Sequence, residues 1–348
     1  MTHLFQQALP RIALTLIALA AGAAFAGTPP MYRIEKIKRD ETGALKAQSA
    51  QSINNDGVVV GWSRVDNFGY IPFMLDGRRP QQMQGPAARA MYDGPNVNIR
   101  REVAGSIYPD AYLWDSAGTP TNLSPLLPCT GNKSSSSAAI NDAGTVVGNY
   151  TCTVNRKTRY GAWIYQDGVM TDLGTLGASS TSVHAINNSG QAVGESDVVV
   201  NGKTVSHAYL WQNGAMTDLG TLGEDNSVAL AINEAGYVVG TSYGSYPAGS
   251  QAFVYKDGTM KAMPTCAGNT LKPSAINNHG QVVGNFRVRY STTAVLVHQG
   301  QCYFFSALLD DSAEGWRDLR IYDINDDGVI VGEGSKGAFI ATPLKQGQ

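Results

Sequence analysis

Charged side chains are scarce in this sequence of 348 residues. Aspartate, glutamate, lysine and arginine make up 16% of the chain, against about a quarter in typical globular domains. The formal net charge is −2, whereas nucleic-acid-binding domains are typically strongly basic, so we expect no nucleic-acid partner. Hydrophobic residues still reach 43%, which is too high for an intrinsically disordered chain.

Long hydrophobic runs are also few. The apolar run over residues 12–24 is shorter than the roughly 20 residues that span a bilayer. It follows Arg11 and ends in Ala24-Phe25-Ala26, the small-residue pattern of a signal-peptidase site. We therefore predict a signal peptide over residues 1–26 and a single domain over residues 27–348. The protein is then exported, to the periplasm or the extracellular space, and has no membrane span.

Glycine is abundant, with 39 residues, and many of the glycines lie in an internal repeat. The segment Ala185–Gly194 has the pattern Ala-Ile-Asn-x-x-Gly-x-x-Val-Gly, which recurs along the chain every 43 to 48 residues. One copy is degenerate and has Arg101 where the turn glycine is expected. Seven copies are marked by an asparagine: Asn54, Asn98, Asn141, Asn187, Asn233, Asn277 and Asn325.

Each repeat predicts four short strands, which we call a to d. Strand a ends at the marker asparagine, and a glycine turn leads to the Val-Val-Gly run of strand b. Strand c carries an aromatic residue, and a further tight turn, often Asn-Gly or Asp-Gly, leads to strand d. Four strands in about 45 residues are typical of a propeller blade. We predict an all-β fold, a seven-bladed β-propeller of four-stranded blades.

The two ends of the chain predict how the ring closes. The last repeat ends after its strand c, at Ala338-Phe339-Ile340, and lacks a strand d. An unmatched strand over Tyr32–Ile37 precedes the first repeat. We expect this strand to complete the last blade as its outer strand, because an uncovered strand edge promotes aggregation.

The repeat resembles the HAF family of extracellular repeat proteins, named for a His-Ala-Phe run. The matching positions include His207-Ala208-Tyr209 and Gln251-Ala252-Phe253, and Met216–Gly223 matches the run that follows. The first, second and sixth repeats depart from it, with Phe73, Tyr112 and Val295 at the aromatic position. The resemblance implies an exported bacterial protein, and it carries no established activity or catalytic residue.

Two segments look like catalytic or nucleotide-binding motifs. Gly240–Gly244 matches the Gly-x-Ser-x-Gly of a nucleophile elbow, and Gly332–Gly337 matches a dinucleotide fingerprint. Both motifs require a following helix, whereas a strand is predicted after each segment. The scattered histidines form no acid–base or metal cluster. We therefore predict no catalytic residues and no metal ligands.

A weak cofactor signal remains at the last marker turn. Asp323-Ile324-Asn325-Asp326-Asp327-Gly328 places side-chain oxygens at alternating positions before a glycine, which suits Ca²⁺. The equivalent turn at Ala275–Gly280 has no acids, so the fold needs no metal there. We expect no cofactor, with a structural calcium ion as the weaker alternative.

Four cysteines allow two disulfides in an oxidising compartment. Cys129 and Cys152 are expected at the same face of the third blade, which favours a disulfide between them. Cys266 and Cys302 are expected at opposite ends of a blade. Either the strand register differs in the sixth blade, or this pair stays reduced.

The predicted blade order separates the connections into two faces. The b–c and d–a connections share one face, the loop-rich face, and the short a–b and c–d turns share the other, the turn face. Variable loops on a repetitive scaffold usually carry function. Mixtures of arginine and tyrosine are typical of interfaces, and aromatic rings also stack on sugars. The candidate binding residues are Tyr108, Arg156, Lys157, Arg159, Tyr243, Tyr246, Arg287, Arg289, Tyr290 and Trp316.

These observations favour an exported, non-enzymatic and monomeric binding module for a protein or a polysaccharide. The alternatives are a propeller enzyme acting on extracellular polysaccharide, a lyase or a glycosidase, and a purely structural envelope protein. Asp323 is the sole acid in the seven predicted a strands, which argues against a catalytic carboxylate pair in the channel wall.

Overall fold

The computed structural model of the chain describes residues 29–40, 45–65, 69–77, 79–85, 94–244, 249–288 and 291–345. The predicted signal peptide and three candidate binding residues, Tyr246, Arg289 and Tyr290, lie outside these ranges. The described residues form seven sheets of four antiparallel strands, so the predicted all-β, seven-bladed propeller is confirmed. Within them, helical structure is limited to three short 3₁₀ helices, Ser124–Leu126, Phe305–Leu308 and Asp311–Ala313.

The N-terminal strand is β1 (Tyr32–Lys36), and blades 1 to 3 follow it in chain order. Blade 1 contains β2 (Lys46–Ile53), β3 (Val59–Val65), β4 (Gly69–Leu75) and β5 (Pro80–Gln82). Blade 2 contains β6 (Asn96–Val97), β7 (Val103–Ile107), β8 (Asp110–Trp114) and β9 (Pro120–Asn122). Blade 3 contains β10 (Asn132–Ile140), β11 (Val146–Val154), β12 (Lys157–Gln166) and β13 (Val169–Asp172).

Blades 4 to 6 repeat the same order of strands a to d. Blade 4 contains β14 (Thr181–Ile186), β15 (Ala192–Val200), β16 (Lys203–Gln212) and β17 (Ala215–Gly220). Blade 5 contains β18 (Asn226–Ile232), β19 (Val238–Tyr243), β20 (Ser250–Lys256) and β21 (Thr259–Ala262). Blade 6 contains β22 (Lys272–Ile276), β23 (Val282–Val288), β24 (Ser291–His298) and β25 (Gln301–Phe304).

Blade 7 is built from both ends of the chain. Its strands a to c are β26 (Arg320–Ile324), β27 (Ile330–Gly334) and β28 (Gly337–Pro343). Strand β1 pairs antiparallel with β28, from Tyr32 opposite Pro343 to Lys36 opposite Phe339, and so takes the outer position. This pairing is the one that the unmatched N-terminal strand predicted.

The core lies between the blades, where the aromatic residue of strand c packs on the glycine of strand b. Trp163 is fully buried and lies opposite Gly148 in the register. A Cβ atom at Gly148 would lie 2.1 Å from the backbone oxygen of Ser136 and 2.3 Å from the Trp163 ring. The glycine of the Val-Val-Gly run therefore makes room both for the neighbouring strand and for the ring.

The seven marker asparagines form a closed hydrogen-bonded ring. Each side-chain amide donates to the backbone oxygen of the next marker asparagine, over 2.8 to 3.1 Å, and Asn325 donates to Asn54. Each Oδ1 atom accepts a backbone N–H of its own turn, as in Asn233 with Tyr237 at 2.9 Å. In the degenerate repeat Arg101 takes a positive φ of 62°, the conformation that glycine takes in the other copies.

Both cysteine pairs are disulfide-bonded. Cys129 and Cys152 have Cα atoms 5.9 Å apart, as expected for the predicted pair. Cys266 and Cys302 are also joined, with Cα atoms 5.4 Å apart, so the expectation that they lie at opposite ends of a blade is wrong. Cys266 is buried in the segment between β21 and β22, packed among residues of blades 5 and 6, and this segment reaches the start of β25.

Candidate functional site

The central channel is lined by one bulged residue from strand a of most blades. In six blades the register of strand a shifts three residues before the marker asparagine. The bulge turns this residue towards the axis, because an extra residue breaks the alternation of side chains along a strand. The bulged residues are Gln51, Ala138, His184, Leu230, Ser274 and Tyr322, and they line two cavities of about 270 and 410 Å³ along the axis.

At the turn face the channel ends in a second set of side chains, one residue after each marker asparagine, which is polar in every blade except blade 2, where Ile99 stands. Asp326 accepts hydrogen bonds from the backbone N–H and the side-chain amide of Asn278, both at 2.8 Å. It also accepts one from the side chain of Asn55 at 2.8 Å. These carboxylate oxygens therefore bind N–H groups of the two neighbouring blades.

Asp323, the first residue of the suggested calcium run, has a similar role. Its oxygens accept the backbone N–H groups of Ile53 at 3.0 Å and of Ile324 at 2.8 Å. Burial raises the pKa of Asp323 to about 6. In the described part of the chain no three His, Cys, Asp or Glu side chains come together as a metal site. The carboxylate oxygens of Asp323 already accept backbone N–H groups, and this does not favour calcium binding at the turn. The calcium ion stays a prediction.

The serine of the elbow-like segment is structural. Ser242 is fully buried, accepts the backbone N–H of Leu222 at 3.0 Å and donates to the backbone oxygen of Asn226 at 3.2 Å. Ser196 makes the equivalent contact with Leu176 in blade 4. The Gly-x-Ser-x-Gly pattern thus comes from a serine that fastens the d–a loop to its blade.

The loop-rich face differs from the prediction in blades 3 and 4. The b–c connections there are two-residue turns at the ends of long hairpins, Asn155-Arg156 and Asn201-Gly202, rather than variable loops. Arg156 lies in the first turn, whereas Lys157 and Arg159 belong to strand β12. These three residues are exposed and remain on the predicted face.

The other described candidates lie around the rim, in different blades. Tyr243 is half-buried at the end of β19, and burial, followed by the nearby carboxylates of Glu195 and Asp197, raises its pKa. Trp316 packs edge-on against Phe339, with ring centroids 5.7 Å apart. Arg287 is exposed on β23. The structure does not bring these residues into one site.

A pocket on the loop-rich face does contain one predicted residue, Tyr108. Its volume is about 230 Å³, and blades 2, 3 and 4 all contribute to it. Tyr108 comes from the b–c turn of blade 2, and Tyr160 comes from strand c of blade 3. Their side chains are 67% and 56% exposed. The remaining lining residues are Ser106, Ser134, Ser135, Ser136, Asn149, Tyr150, Thr151, Gly161, Thr181 and Ser182.

The pocket forms where blade 3 departs from the repeat. Blade 4 pairs Ser196 with His207, and the His207 ring nitrogen Nδ1 lies 2.8 Å from Asp218. Blade 3 instead pairs Tyr150 with Gly161, and a Cβ atom at Gly161 would lie 2.5 Å from the tyrosine ring. The Tyr150 hydroxyl donates to Asp172, and burial together with this hydrogen bond raises the pKa of Tyr150 to about 12.

Arg159 supports this arrangement from outside the pocket. Its guanidinium lies 3.1 Å from the Asp172 carboxylate and 6.0 Å from the centre of the Tyr150 ring. Sequence reasoning identified Arg159 and Tyr108 but missed Tyr160 and the serines. Tyr160 adjoins Arg159 in the sequence and could have been selected by the same argument, whereas the serines of strand β10 carry no signal that distinguishes them from other residues of an inner strand.

Solved structures with similar folds were found, although no family model and no curated protein matches the sequence. A streptogramin B lyase has a TM-score of 0.54 at 12% identity, over 90% of this chain and 98% of that one. YCF48 bound to a D1 peptide has a TM-score of 0.51 at 10% identity, over 92% and 99%. An acylaminoacyl peptidase of Pyrococcus horikoshii has a TM-score of 0.55 at 11% identity, over 89% and 54%. At these identities the similarity shows the propeller fold alone.

Proposed function

We propose that the protein is an exported, non-enzymatic binding module that recognises a protein or a polysaccharide through its loop-rich face. The observation that carries this proposal is the pocket of blades 2 to 4, with two exposed tyrosines at its edge. Exposed aromatic side chains contribute strongly to recognition, because they bury a large area at a small cost in conformational entropy.

The chemistry of the pocket favours binding over catalysis. Its described lining residues include no Asp, Glu, His, Lys, Arg or Cys. General acid–base or nucleophilic catalysis usually needs such groups within hydrogen-bonding distance of the substrate. The enzymatic alternative, a lyase or glycosidase acting on extracellular polysaccharide, would need another site.

Export is compatible with the two disulfides, since such bonds persist in oxidising compartments. None of the described helices is long and apolar enough to cross a membrane. We also propose membership of the HAF family, which is supported by the buried aromatic residues at its characteristic position, Trp163, Tyr209, Phe253 and Phe339.

The test compares ligand capture by three forms of the mature protein. Wild type, the double variant Tyr108→Ala/Tyr160→Ala and the control Tyr237→Ala are incubated with envelope extract and with a glycan array. Tyr237 is an exposed tyrosine, 41% accessible, on the turn face. We expect saturable capture by wild type and the control, and its loss in the double variant.

Equal capture by all three forms would place binding away from this pocket. No saturable ligand in either assay would favour the structural alternative. Release of reducing or unsaturated sugar ends from a polysaccharide would contradict the non-enzymatic assignment.

A further inference from the structure

The pocket of blades 2 to 4 is uncharged, and this limits the ligands it can accept. A charged group that enters an uncharged pocket loses hydration and gains no ionic partner, which disfavours its binding. The nearest arginine described above, Arg159, is already paired with Asp172 at 3.1 Å. A neutral ligand is therefore favoured over an acidic one.

Hydroxyl groups dominate the polar lining. Ser136 and Ser182 occupy the same position in strands a of blades 3 and 4, five residues before the marker asparagines. Both are half-buried, and within the described chain their hydroxyls make no hydrogen bond. A serine hydroxyl donates one hydrogen bond and accepts two, which matches the hydroxyls of a sugar.

The other polar groups are held in place by the blades. The hydroxyls of Ser134 and Thr151 lie 2.6 Å apart and bind each other. The Asn149 side chain binds both the N–H and the oxygen of Val183, at 2.8 and 3.0 Å. These hydrogen bonds hold the lining of the pocket in place, whereas the hydroxyls of Ser136 and Ser182 are available to bind a ligand.

The two tyrosines and the size of the pocket suit a single sugar ring of a longer polysaccharide chain. Aromatic rings present flat apolar faces of the kind that the C–H faces of a pyranose contact. A volume of about 230 Å³ is below the roughly 300–1,000 Å³ of clefts that enclose whole drug-sized molecules. Tyr108 and Tyr160 are 67% and 56% exposed to solvent, so the rest of a chain can continue past them across the face.

We propose that this pocket binds one sugar residue of a neutral polysaccharide, with its ring against Tyr108 or Tyr160 and its hydroxyls bonded to Ser136 and Ser182. This inference rests on the proposed binding function and names its ligand class. A protein partner that inserts an apolar side chain is the competing occupant.

The experiment measures affinity for defined glycans. Neutral oligosaccharides from glucans, mannans, galactans and xylan are compared with acidic ones from alginate and polygalacturonate, by array and then by calorimetry. We expect at least one neutral glycan to bind, with an affinity that is insensitive to added NaCl, because screening acts on charged ligands. The acidic glycans should not bind.

Variants then assign the site. Tyr108→Ala/Tyr160→Ala should weaken binding about tenfold or more, as expected for the loss of two stacking contacts. Ser136→Ala/Ser182→Ala should weaken it several-fold. Tyr237→Ala should bind as wild type does. Circular dichroism and thermal melting verify that each variant is folded.

The outcomes separate the two proposals. Preference for acidic glycans, or neutral-glycan binding that survives the double tyrosine variant, would overturn the assignment of the ligand to this pocket. Tyrosine-dependent capture of a protein from envelope extract, without any glycan binding, would leave the binding module standing and refute the sugar site. Absence of any saturable binding in both assays would refute both.

Discussion

The side-chain amide of Asn325 donates a hydrogen bond of 3.1 Å to the backbone oxygen of Asn54, across 271 residues of sequence. This bond completes a ring in which each marker asparagine binds the next blade. Each asparagine also accepts an N–H of its own turn, so one side chain fixes both a hairpin and the seam beside it. The ring lies where the inner strands end, at the turn face.

The asparagine ring should contribute measurably to stability. Asn233→Ala would leave the N–H of Tyr237 without its partner, and it would remove one of the two hydrogen bonds that the backbone oxygen of Asn277 accepts, the other coming from the N–H of Gly280. A buried unpaired group costs about 1–3 kcal/mol, so we expect the free energy of unfolding to fall by about 1–3 kcal/mol. Urea unfolding measures this loss. The exposed Asn132→Ala is the control, and a similar small effect of both variants would contradict a structural role for the ring.

The N-terminal strand should be required for a stable ring. Deleting Tyr32–Ile37 removes the outer strand of blade 7 and exposes the edge of β28. It also removes the buried Tyr32 and Ile34 from the core of that blade. We expect a loss of several kcal/mol, or a melting temperature lower by about 10 °C or more, together with aggregation.

A point variant controls for this deletion. The Tyr32 hydroxyl is buried without a hydrogen-bond partner, so Tyr32→Phe should leave the melting temperature unchanged or slightly raised. An unchanged melting temperature after the deletion itself would refute the role of β1 in closure.

The strand b glycine should not tolerate a methyl group. Gly148→Ala would place a Cβ atom 2.1 Å from a backbone oxygen of the neighbouring strand and 2.3 Å from the Trp163 ring. Neither group can move freely, so we expect a loss of about 3 kcal/mol or failure to fold. Gly249→Ala, which meets no atom within 4 Å, is the control. Soluble yield and urea midpoint report the difference, and equal stability of the two variants would contradict the packing argument.

Stability should decline as the pH rises through 6, because of Asp323. Burial raises the pKa of Asp323 to about 6, above the value near 3.9 of an unfolded chain. The folded protein therefore holds this proton more tightly than the unfolded chain does. The contribution of this group to the free energy of unfolding is largest below pH 4 and falls by about 3 kcal/mol towards pH 7.

The difference in the free energy of unfolding between wild type and Asp323→Asn isolates the titration of this carboxyl group. Unfolding by urea at a series of pH values should show that the variant becomes more stable relative to wild type as the pH rises from about 4 to 7. A flat difference for Asp323→Asn would mean that its carboxyl group titrates normally.

Repetition explains why the fold could be predicted. The marker asparagines, the turn glycines and the Val-Val-Gly runs recur at blade length, and local turn and strand chemistry acts within each repeat. Even Arg101, which replaces a turn glycine, keeps the positive φ that the turn requires. The unmatched strand Tyr32–Lys36 paired as expected because a single blade lacked its outer strand.

The pocket could not be predicted in the same way. It depends on Tyr150 and Gly161 lying opposite each other in the register and on side chains from three blades meeting at one place. The choice of loop residues missed this, because the hairpins of blades 3 and 4 extend as strands up to two-residue turns. The disulfide between Cys266 and Cys302 was left open for a similar reason, since it depends on the path of a loop between two blades.

The sequence by itself determined the number of blades, their strand order and the way the ring closes, because those properties follow from periodic local patterns. The tertiary structure alone decided the asparagine ring, the bulged residues of the channel and the uncharged pocket. The asparagine ring and the pocket depend on contacts between residues of different blades, and the bulges depend on the register between strands a and b of one blade. A repeat pattern specifies which residues recur, but neither that register nor which side chains meet across a seam.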